Sequence, residues 1–474
     1  HLQTLLQHFH QVDPAQIQDS LARLEDVDSM HMESQKIYPF SLYDDEKTIA
    51  EKIQQHNFPI ETVPPEDLTD AIRDVEFDNA IEYDIHQKEA IETFFAHSMM
   101  IINGGPGTGK TTIIKGILKM CETFYPTANI QLCAPTGRAT NRMSQLSSYN
   151  ARTIHSLLKW NMEDNSFGAN EQEPLDCDFL VVDECSMVDT HLFASLLKAL
   201  PIHCRIILIG DEDQLESVGP GKVFQDLLDA DICPAIHLEK IYRQKEGSGI
   251  VQMAQQIRLE QPLTYTNGVT FMQQESNTIA QTILNLAQYQ DMDDCQILAP
   301  MYKGIAGIDL INTEMQKVLN PPSQGKAEIR IGTTVFRVQD KVMLLKNMPE
   351  QDVYNGDIGT LLEIEKEKNE IRLIVDFDGH LVEITHDILY YLKHAYCISI
   401  HKSQGSEYDR VICIVDPSAT GMYNKRLLYT AVSRAKKDLV LIGNRALFEN
   451  SVRLKQRHIR QTTLISMIHQ NRQE

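Results

Sequence analysis

The spacing of apolar residues divides the chain into stretches of different period. In DPAQIQDSLARLEDVDSM (13–30), Ile17, Leu21 and Leu24 recur at helical intervals behind an Asp13-Pro14 pair that suits a helix start. An extended piece, KIYPFSLY (36–43), leads into a second helix, DEKTIAEKIQQH (45–56), and PPED (64–67) reads as a linker. Helices with one short strand predict a small helical, winged-helix-like module over 1–80. From residue 81 the pattern changes to short apolar runs alternating with helical stretches: MMIING (99–104), IQLCAP (130–135), FLVVDE (179–184) and CRIILIGD (204–211). Such runs, separated by helices, are the strands of a parallel sheet flanked by helices, which places the chain in the α/β class.

Between the second and third of these strands lies KWNMEDNSFGANEQEPLD (159–176), polar, bearing Gly and Asn, and without helical period. It reads either as an inserted hairpin or as an unstructured connector. A second α/β region starts near residue 241, with QILAP (296–300) as its first clear strand. Residues 332–394 interrupt it with short β-strands joined by Gly, Asn and Asp turns, a small β-barrel-like insert. The α/β pattern resumes at AYCISIHKSQG (395–405), RVICIVD (410–416) and KDLVLIG (437–443), and the last thirty residues look helical. The expected domains are therefore 1–80, 81–240 with its insert at 159–176, 241–331 joined to 395–474, and the β insert 332–394.

Bulk properties narrow the class. At 474 residues the chain exceeds one ordinary core, and its 42% hydrophobic and 23% charged content is that of a soluble globular protein. No apolar run reaches bilayer length, and no secretory pattern opens the chain. The nine cysteines are scattered and form no C-x-x-C pair, which argues against a zinc site or disulfide framework and for a reducing, cytoplasmic setting. The first residue is His1 and the chain opens on an apolar helical pattern, so we expect an upstream region in the intact protein.

The chemistry is concentrated in a few strings. IINGGPGTGKTT (101–112) is an apolar strand running into G-x-x-x-x-G-K-T, with Gly104, Gly109, Lys110 and Thr111 in the required places. A phosphate chain needs backbone N–H groups close by; the loop of Gly104, Gly105, Pro106, Gly107, Thr108 and Gly109 allows that approach, and the helix behind adds its positive end. Lys110 then reaches the β- and γ-phosphates, Thr111 offers a hydroxyl to Mg²⁺, and Thr112 completes the site. FLVVDECSM (179–187) ends a second apolar strand in Asp183, a metal ligand, and Glu184, which polarises the attacking water. The two strings together predict a nucleoside triphosphatase using ATP and Mg²⁺. In RIILIGDEDQLESVGPG (205–221), Gln214 follows a strand end and is placed to sense the γ-phosphate. Arg243 in KIYRQ and Arg434 in YTAVSRAKKDL belong to the second α/β region, from which an arginine can stabilise charge on the transferred phosphoryl group.

With these motifs in their order, the chain resembles the superfamily 1B helicases of the RecD-like type, related to the alpha subunit of exodeoxyribonuclease V. The resemblance runs from YDIHQKEAI (83–91) to YTAVSRAKKDL (429–439), and takes in QILAPMYKGIAGIDLINTEMQ (296–316) and DVYNGDIGTL (352–361), which characterise this branch. It implies two RecA-like P-loop lobes, a pin-like hairpin at 159–176, an SH3-like insert at 332–394, and a 5′→3′ ATP-dependent DNA helicase of repair or recombination. Gln87 takes the place of the family's adenine-reading glutamine. LCAPTGRATNRM (132–143) and TIHSLLKW (153–160) match DNA-contacting motifs through Pro135, Thr136, Thr153 and His155. AYCISIHKSQGSEYDRVI (395–412) matches the motif that joins DNA, through His401 and Ser403, to nucleotide, through Gly405 and Glu407.

The implied partners are single-stranded DNA and single-strand/duplex junctions, with no membrane. Polarity enters through the resemblance alone. The N-terminal module either packs on the first lobe or touches DNA. A net charge of −22 weakens non-specific duplex binding and still leaves room for a narrow cationic groove. Trp160 is the only tryptophan, so base stacking is not widespread. The same engine serves a translocase that strips proteins or remodels forks with little processive unwinding, and the nature of 159–176 separates the two. A scaffold with a decayed ATPase site conflicts with the intact Lys110, Asp183, Glu184, Gln214, Arg243 and Arg434. No carboxylate-rich cluster stands outside these motifs to suggest a nuclease.

Overall fold

The computed structural model describes residues 19–24, 29–33, 36–161, 164–240, 242, 248–289, 292, 294–351, 353–367, 370–454 and 460–472. Two all-parallel sheets organise them. The first has six strands in the order Ala235–Leu238, Met99–Gly104, Arg205–Gly210, Phe179–Val182, Ile130–Ala134 and Ala151–Thr153. Its central strands are mostly apolar because both faces are covered, and alternate residues enter different cores. Met99 and Ile101 join Leu180, Val182, Ile206 and Leu208 on one face. Met100 and Ile102 join Phe179, Val181, Ile207 and Ile209 on the other. The second sheet has five strands, in the order Val269–Gln273, Ala435–Gly443, Tyr408–Val415, Cys295–Ala299 and Cys397–Ser399, again all parallel. These are the two RecA-like lobes.

A five-stranded antiparallel sheet follows the order His380–Thr385, Glu370–Phe377, Ile358–Glu367, Lys341–Leu344 and Leu392–His394, and encloses its own core of Val342, Leu361, Leu373, Val375 and Ile384. A hairpin, Glu328–Ile331 with Thr334–Arg337, precedes it, four residues ahead of the expected start of the insert. Asp340 fixes the insert to the second lobe: its carboxylate accepts from Gln316 Nε2 (2.6 Å), Asn320 Nδ2 (2.6 Å) and the Tyr396 hydroxyl (3.0 Å). Burial pushes the Asp340 carboxyl up, but its bonds with His394 (3.1 Å), the Arg337 N–H (2.7 Å) and Asn320 hold it below its ordinary pKa.

Several expectations are corrected. PPED is a helix start and not a linker: helix Pro65–Asp78 begins there, with Pro65 at a position whose N–H has no intrahelical partner and Glu66 and Asp67 in the first turn. Leu68, Ile72 and Val75 of that helix share a core with Ile113 and Ile117, so this part of 1–80 belongs to the first lobe. KIYPFSLY is extended only through Pro39, and helix Phe40–His56 begins inside it. Of the helix expected over 13–30, residues 19–24 are described and helical, and 13–18 and 25–28 lie outside the described residues; at its end Met30–Glu33 forms an antiparallel pair with Lys36–Pro39. Helix Leu464–Asn471, assigned above to the second lobe, packs on the first, where Leu464, Met467 and Ile468 meet Ile49 and Ile53. Arg460 leads into it and donates to the carbonyls of Gly219 and Gly221 in the first lobe. Strand Val269–Gln273 escaped notice because it is an edge strand with only Val269 buried.

All nine cysteines are buried and free, as small core residues. Among the described residues no helix is long and apolar enough to cross a membrane.

Candidate active site

Strand Met99–Gly104 ends in a loop whose Gly107 and Gly109 have φ of +82° and +87°, and helix Lys110–Phe124 begins directly behind it. Glycine is required at 109 on two grounds, the left-handed backbone and the neighbour: a Cβ there would stand 2.3 Å from Gln87 Nε2. The Lys110 ammonium lies over the loop and donates to the carbonyls of Gly104 and Gly105, the latter at 3.1 Å. A cavity of about 460 Å³ opens here. The first lobe lines it with Gly105 to Thr112, Asp183, Glu184 and Gln214, and the second with Glu407 and Arg434. Asn79, Ile81, Tyr83 and Tyr242 line it as well.

Glu184 follows the buried strand Phe179–Val182 and has φ +51°, at the N-cap of a single 3₁₀ turn, Cys185–Met187. A non-glycine residue in that region costs about 1 kcal/mol or more, and the bend turns the acid out of the strand. Its N–H donates to Asp183 Oδ1 at 2.8 Å. Burial, and then the Asp183 charge, raise the Glu184 carboxyl above its ordinary pKa, while Arg434, Lys110 and Arg142 pull it back.

Gln214 is 2% exposed; its Nε2 donates to Asp211 Oδ2 at 3.1 Å and its Oε1 has no hydrogen-bond partner among the described residues. The same Asp211 oxygen accepts from the Tyr429 hydroxyl of the second lobe at 3.0 Å. Tyr429 also overhangs the phosphate loop, since a Cβ on Gly105 would lie 2.7 Å from its oxygen. Leu215 N–H donates to Thr430 Oγ1 (3.0 Å), and Gln404 Nε2 donates to Leu215 O (3.0 Å). The turn bearing Gln214 is therefore gripped by the opposite lobe. Arg434, 2% exposed, is held by Thr430 O (3.1 Å), Ser406 O (3.0 Å) and Ser433 Oγ (3.1 Å).

The other predicted residues fall into three groups. Gln87 stands beside Gly109, while its Oε1 accepts from Asp84 N–H (3.1 Å) to complete a capping box. Gly104 sits behind the loop, against Leu238. Gly405 is not in the cavity but on the seam between lobes, where its Cβ would meet Thr136 Oγ1 at 3.1 Å. Arg243 lies outside the described residues. Of the DNA candidates, Pro135, Thr136 and His155 are half-buried and His401 is exposed. Thr153 and Ser403 are buried, and their hydroxyls serve local turns, with Thr153 capping Ser156 N–H and Ser403 donating to Ile400 O. Their side chains are thus engaged inside their lobes.

Within 159–176 the regular part is a minimal hairpin, Trp160–Asn161 with Ser166–Phe167. Trp160 and Phe167 rings lie 4.6 Å apart, and both approach His155 at 5.9 Å. The segment is anchored, with Ala169 in the first-lobe core and Glu171 paired to Lys52 at 2.7 Å.

Sequence reasoning passed over Tyr429, Asp211, Arg142 and Tyr242. Tyr429 stands in the quoted YTAVSR string, and Tyr242 is the neighbour of Arg243. Arg142 Nη1 donates to Glu407 Oε1 at 2.9 Å across the lobes, a pairing that no sequence spacing indicates.

Residues 87–220 match the AAA domain family, 311–377 the ATP-dependent RecD-like DNA helicase SH3 domain, and 394–442 the UvrD-like helicase C-terminal domain. The chain is similar to the ATP-dependent RecD2 DNA helicase of Deinococcus radiodurans, 33% identical over 384 residues, covering 81% of this chain and 52% of that protein. It is also similar to the RecBCD enzyme subunit RecD of Buchnera aphidicola subsp. Acyrthosiphon pisum, 26% identical over 445 residues, covering 77% of this chain and 73% of that one. The chain thus spans about half the length of the first of these relatives. A crystal structure of Bacteroides Pif1 bound to single-stranded DNA aligns with a TM-score of 0.49 at 19% identity, over 83% of this chain and 98% of that one.

Proposed function

The chain belongs to the RecD-like helicases, and from that premise we propose that it is an ATP-dependent DNA helicase of repair or recombination, moving 5′→3′ on single-stranded DNA. The observation that carries this reading is the two-lobed cavity. Lys110, Asp183, Glu184 and Gln214 come to it from one lobe and Arg434 and Glu407 from the other, while Thr136 and Gly405 meet on the seam beside it. A site shared in this way is completed only when the lobes are together, which ties nucleotide chemistry to lobe movement.

Thr111 and Asp183 would hold Mg²⁺, which neutralises charge on the phosphates. One hydroxyl and one carboxylate are what this ion takes from a protein when phosphate oxygens supply further ligands. Among the described residues no cluster of three or more His, Cys, Asp or Glu side chains could hold a metal. Lys110 supplies a mobile positive charge over the loop, Glu184 accepts a proton from water, and Arg434 stabilises developing negative charge from the opposite lobe. Gln214 Oε1, which has no partner among the described residues, leaves that side chain an acceptor at the seam.

The test is ATP turnover with and without oligo(dT). Turnover should be low alone and rise strongly with the oligonucleotide, and Lys110→Ala should remove both rates. Equal turnover in the two conditions would refute the coupling.

The hairpin decides between unwinding and mere translocation. Stacking of roughly 1.4 kcal/mol per base-pair step resists opening, so unwinding needs a solid element at the fork, and the Trp160–Phe167 contact gives this hairpin a packed base. Shortening 161–166 to a two-residue turn should abolish duplex separation while leaving DNA-stimulated turnover within about twofold, because the strand grip and the cavity do not use it. A shortened protein that unwinds at the parent rate would make the segment a connector.

A further inference from the structure

Helix Gly137–Ser147 of the first lobe faces the segment Gly405–Tyr408 of the second, and two arginines bridge them. Arg142 pairs with Glu407 and also lines the nucleotide cavity. Arg138 does not line that cavity. Its Nη1 donates to Ser406 Oγ at 2.7 Å and to the Tyr408 hydroxyl oxygen at 3.0 Å. Ser406, itself buried, accepts on its main-chain oxygen the bond from Arg434 Nη1 at 3.0 Å. One residue of the second lobe is thus held by Arg138 through its hydroxyl and holds Arg434 through its carbonyl.

The other end of this chain of contacts lies at the proposed DNA path. Thr136 is the N-cap of the helix that carries Arg138, its Oγ1 accepting from Ala139 N–H, and Gly405 rests against that same oxygen. We propose that Arg138 is a positioning residue that transmits occupancy of the strand site at Thr136 to Arg434 through Ser406. Only Gly137 separates Thr136 from Arg138 within one helix turn, so a shift of the cap moves the guanidinium with it. A charge-assisted bond as short as that to Ser406 passes the movement across the seam, and hydrogen-bond networks between rigid elements are one carrier of such coupling. This rests on the helicase reading above, since it needs a strand at Thr136.

The experiment measures ATP turnover against ATP concentration, with and without oligo(dT), for the parent, Arg138→Ala, Arg138→Lys, Ser406→Ala and the Arg138→Ala/Ser406→Ala pair. Arg138→Ala should lower the DNA-stimulated kcat about tenfold and leave the DNA-free rate and the KM for ATP within about twofold of the parent. Arg138→Lys should recover much of the stimulation, because both bonds leave from a single nitrogen that a lysine ammonium can replace. Ser406→Ala removes the acceptor with little loss of volume; it should reproduce the defect, and the double variant should be no worse than either single one. Stimulation retained in both single variants would overturn the inference, as would a DNA-free rate and KM that change in step with the stimulated rate. A parent that shows no stimulation refutes the helicase reading itself, whereas stimulation in parent and variants alike refutes only the role of Arg138.

Discussion

Arg434→Ala is expected to lower the kcat for DNA-stimulated ATP hydrolysis by about 10³ or more, the range for an arginine that stabilises the phosphoryl transition state from across an interface. The side chain is 2% exposed, and its three nitrogens are each committed, to Thr430 O, Ser406 O and Ser433 Oγ. Those bonds fix a planar cation on the part of the cavity wall that the second lobe supplies, and the same cation partly offsets the burial and Asp183 charge that raise Glu184. A lysine carries the charge but cannot reproduce this fork, so Arg434→Lys should recover little. Removing the guanidinium also leaves the Ser406 carbonyl without its donor, while Thr430 O keeps the Ser433 hydroxyl at 3.0 Å, and an unsatisfied buried group costs about 1–3 kcal/mol. A melting curve therefore accompanies the rate measurement. A folded Arg434→Ala protein with kcat within tenfold of the parent would assign the role elsewhere, with Arg243 as the first alternative.

The second large effect is at Glu184. Replacing it with glutamine should cut kcat by about 10²–10⁴, the usual worth of a general base, while ATP affinity stays close to the parent because the size and the backbone turn are kept. The pH profile separates base from bystander. Burial and the Asp183 charge raise the Glu184 carboxyl, and a base works only when deprotonated. The parent rate should therefore be full well above that raised pKa and be lost as pH falls through it, at a pH above the ordinary glutamate range. Glu184→Gln should lack this acid limb. An unchanged limb in the variant would mean that another group titrates.

The parts of the fold legible in the sequence are those where one physical requirement acts alone. Residues 99–104 and 205–210 are buried throughout and apolar except at Asn103 and Arg205, because both faces are covered, and no helix of six residues offers a rival reading. The phosphate loop is equally plain, since its glycines answer to backbone geometry. Where two requirements share one signal, the pattern misleads. Pro64-Pro65 serves a linker or a first helical turn equally well, and only packing of Leu68 and Ile72 against Ile113 decides. An amphipathic tail states that one face of 464–471 is buried, without stating which lobe buries it. In the site, motifs display residues that answer to a ligand and pass over those that hold them. Tyr429 on Asp211, and Arg138 on Ser406, are pairs 218 and 268 residues apart in sequence, joined only once both lobes are folded.

The central claim is that one cavity, built from two lobes, drives strand separation with a direction. The most direct measurement is strand displacement on 5′-tailed, 3′-tailed and blunt duplexes of the same sequence, with and without ATP, beside the Lys110→Ala protein. Unwinding is expected of the 5′-tailed duplex alone, only with ATP, and not at all by Lys110→Ala. Unwinding that ignores ATP, or that favours the 3′-tailed or blunt duplex, would contradict it.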